Sequence, residues 1–563
     1  MADSREGMDY DVVVVGGAFS GASAALLIKR ARPSCRVLIV ERSEVFDRKV
    51  GESTSEVAGC FLTRVLGLGS YLGREHIVKH GLRMWFTDHP DRPLDECSEI
   101  GPHSQVRLPT YQVDRARLDE HLLATAVQEG CELWRPAVVR DSRERSANGG
   151  AAGEGGAAER HQLLVQCQGE ERRVRCHWLV DASGRAAWLG RRHGDLQVLD
   201  REPTKSMWGR FRGVADLDGA ELRQRHPAWA SRVFCSRSAA TNHLTGRGWW
   251  CWIIPLQDGD FSLGLTYDPR LFTPPEGGSI GERLLKHVRA NPVGRELFAR
   301  AEVVGRDTRA YGQLAYKVNR VAGPGWVIVG DAAGFMDPLY SQGLDYCAHT
   351  VVQASKVVLS GLEAGDEGAR EGIERYNFEF NTSFDRWFDA LYAGKYRYLG
   401  DAELMWAAFQ LDLGAYFLGP VKFVYGDTMA QFARMPYDGR VGGWVARLMG
   451  FYNQRLGLIA DKRWHAGRYG RWNHGRCLLI RGGFAPVPRT AGKFFLRGLW
   501  RWGLAELSAL RLRRPPTTGL EPAVPMADRP AEPPVAKVAA AGAAPSQTVA
   551  SMGADDGHLQ ARR

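Results

Sequence analysis

The chain has 563 residues, of which 44% are hydrophobic and 25% are charged, and its formal net charge is +10. This length predicts two or three domains, and the composition is that of an ordinary globular protein. No nucleic-acid motif accompanies the positive charge, so no nucleic-acid partner is predicted. The ten cysteines show no C-x-x-C pair and no metal-ligand spacing. This pattern argues against a metal site and favours reduced thiols in the cytoplasm.

The N-terminal region predicts a β–α–β unit. A β-rich run at 10–15 precedes the string G-G-A-F-S-G at 16–21 and a helical stretch to about residue 31, and a second strand at 36–40 leads to an acidic residue. A tight glycine turn before a helix is typical of dinucleotide binding, and an acid about twenty residues later is expected to bind a ribose hydroxyl. The residues predicted to contact the cofactor here are Gly16, Ala18 (at the middle glycine of the fingerprint), Phe19, Ser20, Gly21, Glu41 and Arg42.

The following elements are predicted in chain order: a turn and helix at 108–129, a low-complexity hairpin tip at 142–159, a β-rich region at 204–268, a buried strand at 325–331 and a helix from 344 to about 359. Aromatic-rich helices follow residue 375, and the Pro/Ala-rich chain from 515 onward is predicted to be disordered. The stretch 404–424 is interrupted by polar residues and a proline. We therefore interpret it as a core or interface helix and not as a membrane span.

A W-x-W-x-I-P string occupies residues 250–255, and its alternating tryptophans place both rings on one face of a strand. Together with the glycine-rich turn, this string resembles the flavin-dependent halogenases, a tryptophan-halogenase-like family in the FAD-dependent monooxygenase superfamily. The resemblance implies an α/β fold in which a Rossmann-type FAD-binding domain carries an antiparallel β substrate domain and a helical C-terminal domain. The implied ranges are 8–200 and 301–375 for the FAD-binding domain, 201–300 for the substrate domain, 376–514 for the helical domain and 515–563 for a disordered tail.

Three further strings carry the resemblance to an FAD site. G-D-A-A-G at 330–334 resembles the family's G-D motif, in which Asp331 would meet the flavin ribityl chain. Y-Q-V-D-R-A-R-L-D at 111–119 resembles the D-R-x-x-L-D segment, in which Arg115 would help hold the cofactor. G-E-S-T at 51–54 resembles an element beside the isoalloxazine ring and contributes Ser53 and Thr54. Taken alone, Asp331 is also typical of a helix N-cap and Arg115 of a surface charge, but the three strings together imply FAD.

The resemblance also implies a reaction that uses two separate sites. In the family, reduced flavin and oxygen oxidise chloride or bromide to hypohalous acid, and a lysine away from the flavin holds and delivers the halogen. Lys79 stands at the position of that lysine, although a lone lysine is normally a solvated surface charge. F-M-D-P-L-Y-S-Q-G at 335–343 matches the family's F-x-x-P-x-x-S-x-G. The match implies a catalytic Ser341, halide binding at Gln342 and Gly343, and a flavin contact at Gly343.

Four residues are implied to shape the surroundings of the flavin: Trp250, Trp252, Pro255 and Pro338. The tryptophans would crowd the flavin so that no substrate reaches it, and the alternative is plain core packing. Tyr340 stands where the tryptophan halogenases carry a glutamate. This difference argues against free tryptophan as the substrate and fits phenols, pyrroles or carrier-bound acyl groups.

The sequence thus predicts a two-component halogenase of specialised metabolism, such as antibiotic biosynthesis, acting on an electron-rich aromatic or carrier-bound substrate. Its reduced FAD would come from a separate flavin reductase. Three alternatives stay open: an FAD-dependent monooxygenase (hydroxylase), a prenyl- or acyl-chain reductase of the same superfamily, and a flavoprotein without turnover. The basic amphipathic segment 491–514 either lies on an anionic membrane, docks an acidic carrier protein or covers the core. The predicted location is cytoplasmic or membrane-peripheral.

Overall fold

The computed structural model describes residues 8–144, 160–426, 432, 434–481 and 488–512. Of the predicted low-complexity hairpin tip, residues 145–159 lie outside the described residues, and so does the whole predicted tail at 515–563.

A mainly parallel sheet contains the N-terminal β–α–β unit. Its two central apolar runs, at 12–14 and 37–40, are buried on both faces, as expected for parallel strands covered by helices. Across the sheet the strand order is Ala322–Gly323, Trp326–Ile328, Glu170–Asp181, Met8–Val15, Val37–Val40 and Glu132–Trp134. An antiparallel hairpin of Ala137–Glu144 and His161–Cys167 continues from strand Glu170–Asp181. The predicted α/β fold, with its N-terminal β–α–β unit, is therefore present.

A second sheet of eight strands is mostly antiparallel. Its order is Glu302–Tyr311, Lys205–Arg212, Phe261–Tyr267, Trp249–Pro255, Thr241–Gly246, Leu82–Phe86, Ser98–Pro102 and Cys477–Ile480. Two neighbouring pairs are parallel: Thr241–Gly246 with Leu82–Phe86, and Ser98–Pro102 with Cys477–Ile480. Smaller sheets join Leu196–Val198, Tyr316–Val318 and Gly334–Phe335, and also Ile77–Val78 and Tyr111–Gln112. The second sheet thus takes strands from each of the predicted domain ranges before 515, and the domain boundaries themselves stay a prediction.

The longer helices are Phe19–Ala31, Arg115–Gln128, Ile280–Arg289, Gly343–Tyr392, Ala402–Tyr416, Arg440–His465 and Pro488–Leu510. Shorter ones are Glu56–Cys60, Gly69–Glu75, Trp188–Arg192, Ala220–Arg225, Pro227–Ala230, Pro292–Phe298, Lys395–Tyr398 and Lys422–Gly426. The helix predicted to end near 359 instead continues to Tyr392, with a break at Ala364 and Gly365, where the glycine adopts φ +64°. A glycine takes this left-handed conformation without steric cost, so the chain kinks there and continues as a helix.

The C-terminal helices share one apolar core with the parallel sheet. Helix Ala402–Tyr416 overlaps the first part of the 404–424 stretch, and twelve of its fifteen residues are buried, which confirms a core helix. It begins at Asp401, whose carboxylate accepts the N–H groups of Glu403 and Leu404. None of the helices in the described ranges is long and apolar enough to cross a membrane. A separate apolar cluster lies against the second sheet, around Phe211, Leu244 and Phe298.

A buried ion triad joins the second sheet to the loop that precedes one of its strands. Glu99 accepts hydrogen bonds from Arg83 and Arg237, both at 2.8 Å, and all three side chains are about 1% exposed or less. Burial opposes ionisation of Glu99, but the two guanidinium groups outweigh it and lower its pKa to about 2. Glu99 is therefore a buried carboxylate that stays ionised because two arginines neutralise it.

Glu99→Gln is expected to lower the free energy of unfolding by roughly 3–5 kcal/mol, because it leaves two buried guanidinium groups without their counter-charge. Since the pKa of Glu99 is lowered on folding, its stabilising contribution is present above about pH 4.5 and is lost as the pH falls towards about 2. Urea titrations followed by tryptophan fluorescence from neutral to acidic pH measure both effects. Glu221→Gln, at an exposed acid, is the control and should change stability by about 0.5 kcal/mol or less. An equally small change for Glu99→Gln would contradict the triad's role.

Candidate active site

The glycine-rich turn is built so that only glycine fits at two positions. Gly16 adopts φ +100°, and a Cβ there would lie 2.5 Å from the carbonyl oxygen of Ala182. A Cβ on Gly21 would lie 1.8 Å from the carbonyl oxygen of Gly16. Helix Phe19–Ala31 begins directly after the turn and has no acidic residue in its first turn, so its free N–H groups can hold an anion.

A cavity of about 520 Å³ runs from this turn to the second sheet. The predicted site residues that line it are Ala18, Phe19, Ser20, Arg42, Ser53, Arg115, Trp250, Trp252, Asp331, Pro338, Ser341 and Gly343. These residues come from elements spread along most of the described chain, and the fold brings them to one space. The predicted residues that are not part of its lining are Gly16, Gly21, Glu41, Thr54, Lys79, Pro255 and Gln342.

Glu41 and Thr54, which lie outside the lining, support the cavity through hydrogen bonds to the backbone. Glu41 is buried, and its carboxylate accepts the N–H groups of Gly17 at 2.7 Å and Ser43 at 2.8 Å, so it fixes the glycine turn. The Thr54 side chain accepts the N–H of Tyr111 at 2.8 Å. Pro255 ends its strand, opposite Phe261.

The cavity's charged residues fit a flavin dinucleotide. Arg115 bonds to the Asp119 carboxylate and to the Val50 carbonyl, and its guanidinium lies 5.7 Å from the centre of the Phe19 ring. Asp331 sits in the short turn after strand Trp326–Ile328, and burial raises the pKa of its carboxyl although Arg115 and Arg185 oppose this. The glycine turn, a helix N-terminus and these arginines suit a pyrophosphate, and the Asp331 carboxylate in the wall suits a polyol chain.

The two tryptophans of the 250–255 string lie side by side in the cavity wall. Their ring centres are 5.7 Å apart, and both rings are buried. The Trp252 indole donates to Ser262 at 3.1 Å, and the Trp250 indole donates to the Tyr396 hydroxyl at 3.0 Å. Both indole N–H groups are therefore satisfied by protein, and the ring faces are left to bound the cavity.

Lys79 lies at a second, smaller cavity of about 90 Å³. The side chain is 5% exposed, and its ammonium group donates to the carbonyl of Thr54 at 2.8 Å. Burial lowers the pKa of Lys79 to about 8, against the opposing effect of the nearby carboxyls of Glu56 and Asp345. A substantial fraction of this amine is therefore neutral at mildly alkaline pH, which is the form that acts as a nucleophile.

The segment 338–343 separates the two cavities. Pro338, Ser341 and Gly343 line the larger cavity, whereas Tyr340 and Gln342 line the smaller one. Side chains alternate in this way because Tyr340 and Ser341 both adopt left-handed backbone conformations, with φ of +70° and +62°. The segment is thus a wall one chain thick between a flavin-sized space and the space that holds Lys79.

Buried hydrogen bonds hold this wall in place. The Tyr340 hydroxyl donates to Asp412 at 3.0 Å, and Asp412 also accepts from Lys395 at 2.6 Å and from Tyr452. On the other side of the turn, Asp337 accepts the Tyr396 hydroxyl at 2.7 Å.

The backbone of the wall also offers an anion site. The left-handed Ser341 is followed by Gln342 at φ −82° and ψ −8°, and helix Gly343–Tyr392 begins at the next residue. Left-handed and right-handed residues in succession turn consecutive N–H groups towards one point, and a helix N-terminus adds its own free N–H groups. The Gln342 side chain is engaged elsewhere, since its oxygen accepts from Trp387 and Tyr392. The oxygen of Gln342 is therefore occupied, and the donors this residue can contribute are N–H groups.

Sequence reasoning missed several residues of the site. Glu56 lines the smaller cavity beside Lys79, and burial raises the pKa of its carboxyl. His243 lines the larger cavity, is 2% exposed, and has no hydrogen-bond partner for Nδ1 among the described residues. Burial, with a smaller effect of Lys79, lowers the pKa of His243 to about 3, so the ring is neutral. Glu56 lies two residues after the end of the G-E-S-T string and could have been considered, whereas no sequence signal marks His243.

Comparisons with known proteins agree with this geometry. A family model described as tryptophan halogenase matches residues 219–398. The flavin-dependent halogenase chlA of Dictyostelium discoideum is 28% identical over 363 residues, which is 60% of this chain and 57% of that protein's length. The 1H-pyrrole-2-carbonyl-(peptidyl-carrier protein) brominase of Pseudoalteromonas luteoviolacea is 25% identical over 367 residues, which is 63% of this chain and 79% of that protein.

Among solved structures, halogenase PltM in complex with phloroglucinol and FAD aligns with a TM-score of 0.65. The alignment covers 89% of this chain and 98% of that one at 16% identity. At this level of identity the likeness concerns the fold, and it confirms the predicted α/β architecture with a helical C-terminal region.

The lowered pKa of Lys79 predicts its reactivity towards cyanate, which modifies neutral amines. Carbamylation of Lys79 should rise through about pH 8, whereas ordinary lysines require a pH near about 10.4. Peptide mass spectrometry of protein treated with cyanate across this pH range gives the profile, and the peptide of the exposed Lys462 supplies the comparison in the same sample. Coincident profiles for Lys79 and Lys462 would contradict the buried environment described here.

Proposed function

We propose that the chain is a member of the flavin-dependent halogenase family, as the sequence predicted, and that it is an FAD-dependent halogenating oxidoreductase. The family-model match at 219–398 and the 28% identical halogenase support this proposal. The enzyme's substrates would be reduced FAD, oxygen, chloride or bromide, and an electron-rich aromatic molecule. The observation that carries this proposal is that Lys79 lies in a cavity of its own, behind the 338–343 wall. A hydroxylase brings its substrate to the flavin, and here the wall and the paired tryptophans oppose that approach.

The larger cavity would hold FAD. Helix Phe19–Ala31 would meet the pyrophosphate with its N-terminal N–H groups, while Arg115 and Asp331 contact the rest of the cofactor. When bound in reduced form, FAD with oxygen would supply the oxidising equivalent that converts halide to hypohalous acid. Trp250 and Trp252 would fill the side of the cavity from which an aromatic substrate would otherwise reach the cofactor.

The backbone of the wall would hold the halide. The N–H groups of Gln342 and Gly343 would bind it at the start of helix Gly343–Tyr392, because the Ser341 N–H already donates to the Pro338 carbonyl at 3.2 Å. A halide ion needs hydrogen-bond donors and little else. Ser341 would lie where the oxidised halogen leaves the larger cavity in the direction of Lys79. Lys79 would receive it on the other side, because its buried amine can donate a hydrogen bond to hypohalous acid or, when neutral, attack the halogen.

Glu56 would accept the proton that the aromatic substrate loses. It shares the smaller cavity with Lys79, and a carboxyl whose pKa is raised by burial is a stronger base than an ordinary one. This position supplies a carboxylate to the substrate cavity although Tyr340 replaces the glutamate of the tryptophan halogenases. The new carbon–halogen bond forms as the bond from halogen to oxygen or nitrogen breaks, and the released proton passes to Glu56.

The partners proposed are a separate flavin reductase and an electron-rich aromatic substrate that is either free or attached to a carrier protein. The reductase is proposed because the single glycine-rich fingerprint of the chain is assigned to FAD. A carrier-bound substrate is supported by the Pseudoalteromonas luteoviolacea relative, which is named as a brominase of a pyrrole-2-carbonyl group on a peptidyl-carrier protein.

The proposed reaction predicts that product formation requires halide and Lys79. Purified protein with FAD, a flavin reductase, oxygen and bromide should convert a panel of phenols and pyrroles to products with the bromine isotope pattern. Lys79→Met should reduce the halogenated product to background while reduced flavin is still consumed. Lys79→Arg is the matched variant, since it keeps the charge but cannot become a neutral nucleophile. A halide-independent oxygenated product that survives Lys79→Met would overturn the proposal in favour of a hydroxylase.

The variant Glu56→Gln tests whether Glu56 acts in the transfer of the halogen to the substrate and not in the formation of hypohalous acid. Trapping with monochlorodimedone should show hypohalous acid formation at the wild-type rate, because Glu56 does not line the flavin cavity. Halogenation of the aromatic substrate should fall by roughly 10²-fold, as expected when a general base is removed. Glu371→Gln, at a 90% exposed acid, is the control. Wild-type turnover by Glu56→Gln would exclude Glu56 as the proton acceptor.

A further inference from the structure

Helix Pro488–Leu510 has one buried and one exposed apolar face. The buried face, which includes Ala491, Phe494 and Ala505, packs on helix Ala402–Tyr416. The opposite face exposes five large apolar side chains: Leu496 (67%), Trp500 (69%), Leu504 (37%), Leu507 (58%) and Leu510 (78%). Their spacing of three or four residues places them on one stripe. One role predicted for this segment is to cover the core. That role accounts for the buried face of the helix but not for its exposed apolar face.

The neighbouring helix Arg440–His465 continues this exposed surface. Val441, Trp444, Phe451 and Leu458 are between 45% and 77% exposed, again at intervals that fit one face. The Phe451 ring meets Trp502 edge-on at 5.8 Å, and Arg455 pairs with Glu506 at 2.7 Å, so the two helices lie side by side. The "apolar platform" denotes the exposed stripes of these two helices.

The apolar platform is also strongly basic. Residues 440–465 and 488–512 contain ten lysines and arginines but only two acids, Asp461 and Glu506. Both acids are half-buried and paired with arginines, Asp461 with Arg247 and Arg397, so neither offsets the exposed positive charge. The exposed basic residues stand among the apolar ones: Arg440, Arg447, Lys462, Arg489, Lys493, Arg497 and Arg511.

We propose that the apolar platform binds the surface of an anionic lipid bilayer and holds the protein at the membrane. Exposed tryptophan, phenylalanine and leucine among lysine and arginine is the composition of helices that lie in the headgroup region. The apolar side chains enter the acyl boundary, and the basic side chains remain at the level of the anionic headgroups. The Arg447 guanidinium lies 5.4 Å from the centre of the exposed Trp444 ring. A cation for the headgroups and an aromatic ring for the acyl boundary are therefore next to each other.

The positive charge of the apolar platform and its continuous apolar stripe favour a bilayer over a second copy of the chain or a carrier protein. A symmetric contact with a second copy would place two strongly basic surfaces against each other, and like charges oppose such a contact. An acidic carrier protein would satisfy the charge, but lysine is depleted in protein interfaces, whereas Lys462 and Lys493 stand among the exposed apolar side chains. A bilayer satisfies both the charge and the continuous apolar stripe.

The test is co-sedimentation of the full-length protein with phosphatidylcholine vesicles that do or do not contain phosphatidylglycerol. Binding is expected with the mixed vesicles, with a blue shift of tryptophan fluorescence and release at high salt. Lys493→Gln combined with Arg497→Gln should weaken this binding roughly 30-fold, as expected for two surface cations. Trp444→Ser combined with Trp500→Ser should abolish the blue shift, and Phe378→Ser, at a 68% exposed ring outside both helices, is the matched control.

Retention of bound FAD, read from its absorbance, shows that each variant is folded. Absence of binding to the mixed vesicles, or binding that Phe378→Ser weakens as much as the tryptophan pair does, overturns the proposal. A dimer in light scattering that the tryptophan variants convert to monomer overturns it in favour of a second copy. Binding to an acidic carrier protein without binding to vesicles overturns it in favour of that partner. These readouts do not depend on halogenation.

Discussion

The left-handed turn at Tyr340 and Ser341 is the constraint on which the two-cavity arrangement depends. Non-glycine residues in this conformation cost roughly 1–3 kcal/mol each, so the turn persists only because surrounding groups hold it. The hydroxyl of Tyr340 is fixed by Asp412, which is itself neutralised by the fully buried Lys395. Burying a charge pair of this kind stabilises the fold little but imposes one geometry on the chain around it. That geometry keeps Lys79 apart from the flavin-sized cavity by the thickness of one peptide segment.

The local parts of this architecture could be predicted from the sequence. The glycine turn, the buried strands at 10–15 and 36–40 and the helix that begins near Arg115 each depend on residues close together in the chain, so a pattern reveals them. The α/β fold followed from short strings and is confirmed. The resemblance to the flavin-dependent halogenases is supported by the family-model match at 219–398 and by the 28% identical relative. The roles assigned to Lys79 and Ser341 stay predictions, although the structure puts these residues on opposite sides of one wall.

What the sequence could not reveal depends on contacts between distant residues. Tyr340 and Asp412 are 72 residues apart, and Trp250 and Tyr396 are 146 residues apart, so no spacing rule connects them. Glu41 shows a different limit. Its position predicts a ribose contact, yet the folded turn directs both carboxylate oxygens to backbone N–H groups. The sequence indicates that an acid is needed at this position, and only the structure shows which groups donate hydrogen bonds to its carboxylate.

The hydrogen-bonded path from Trp250 through Tyr396 to Asp337 limits how this protein can diversify. The wall of the smaller cavity is made by the segment before helix Gly343–Tyr392, but Lys395, Tyr396 and Asp412, which help to fix it, lie after that helix. Recombination with a relative at any point between them would exchange the wall without its supports, and the strained turn would relax. New specificities of the proposed halogenase are therefore expected to arise through point substitutions in the smaller cavity, or by inheritance of residues 337–452 as one block. Exchange of the C-terminal helices alone is expected to produce them seldom.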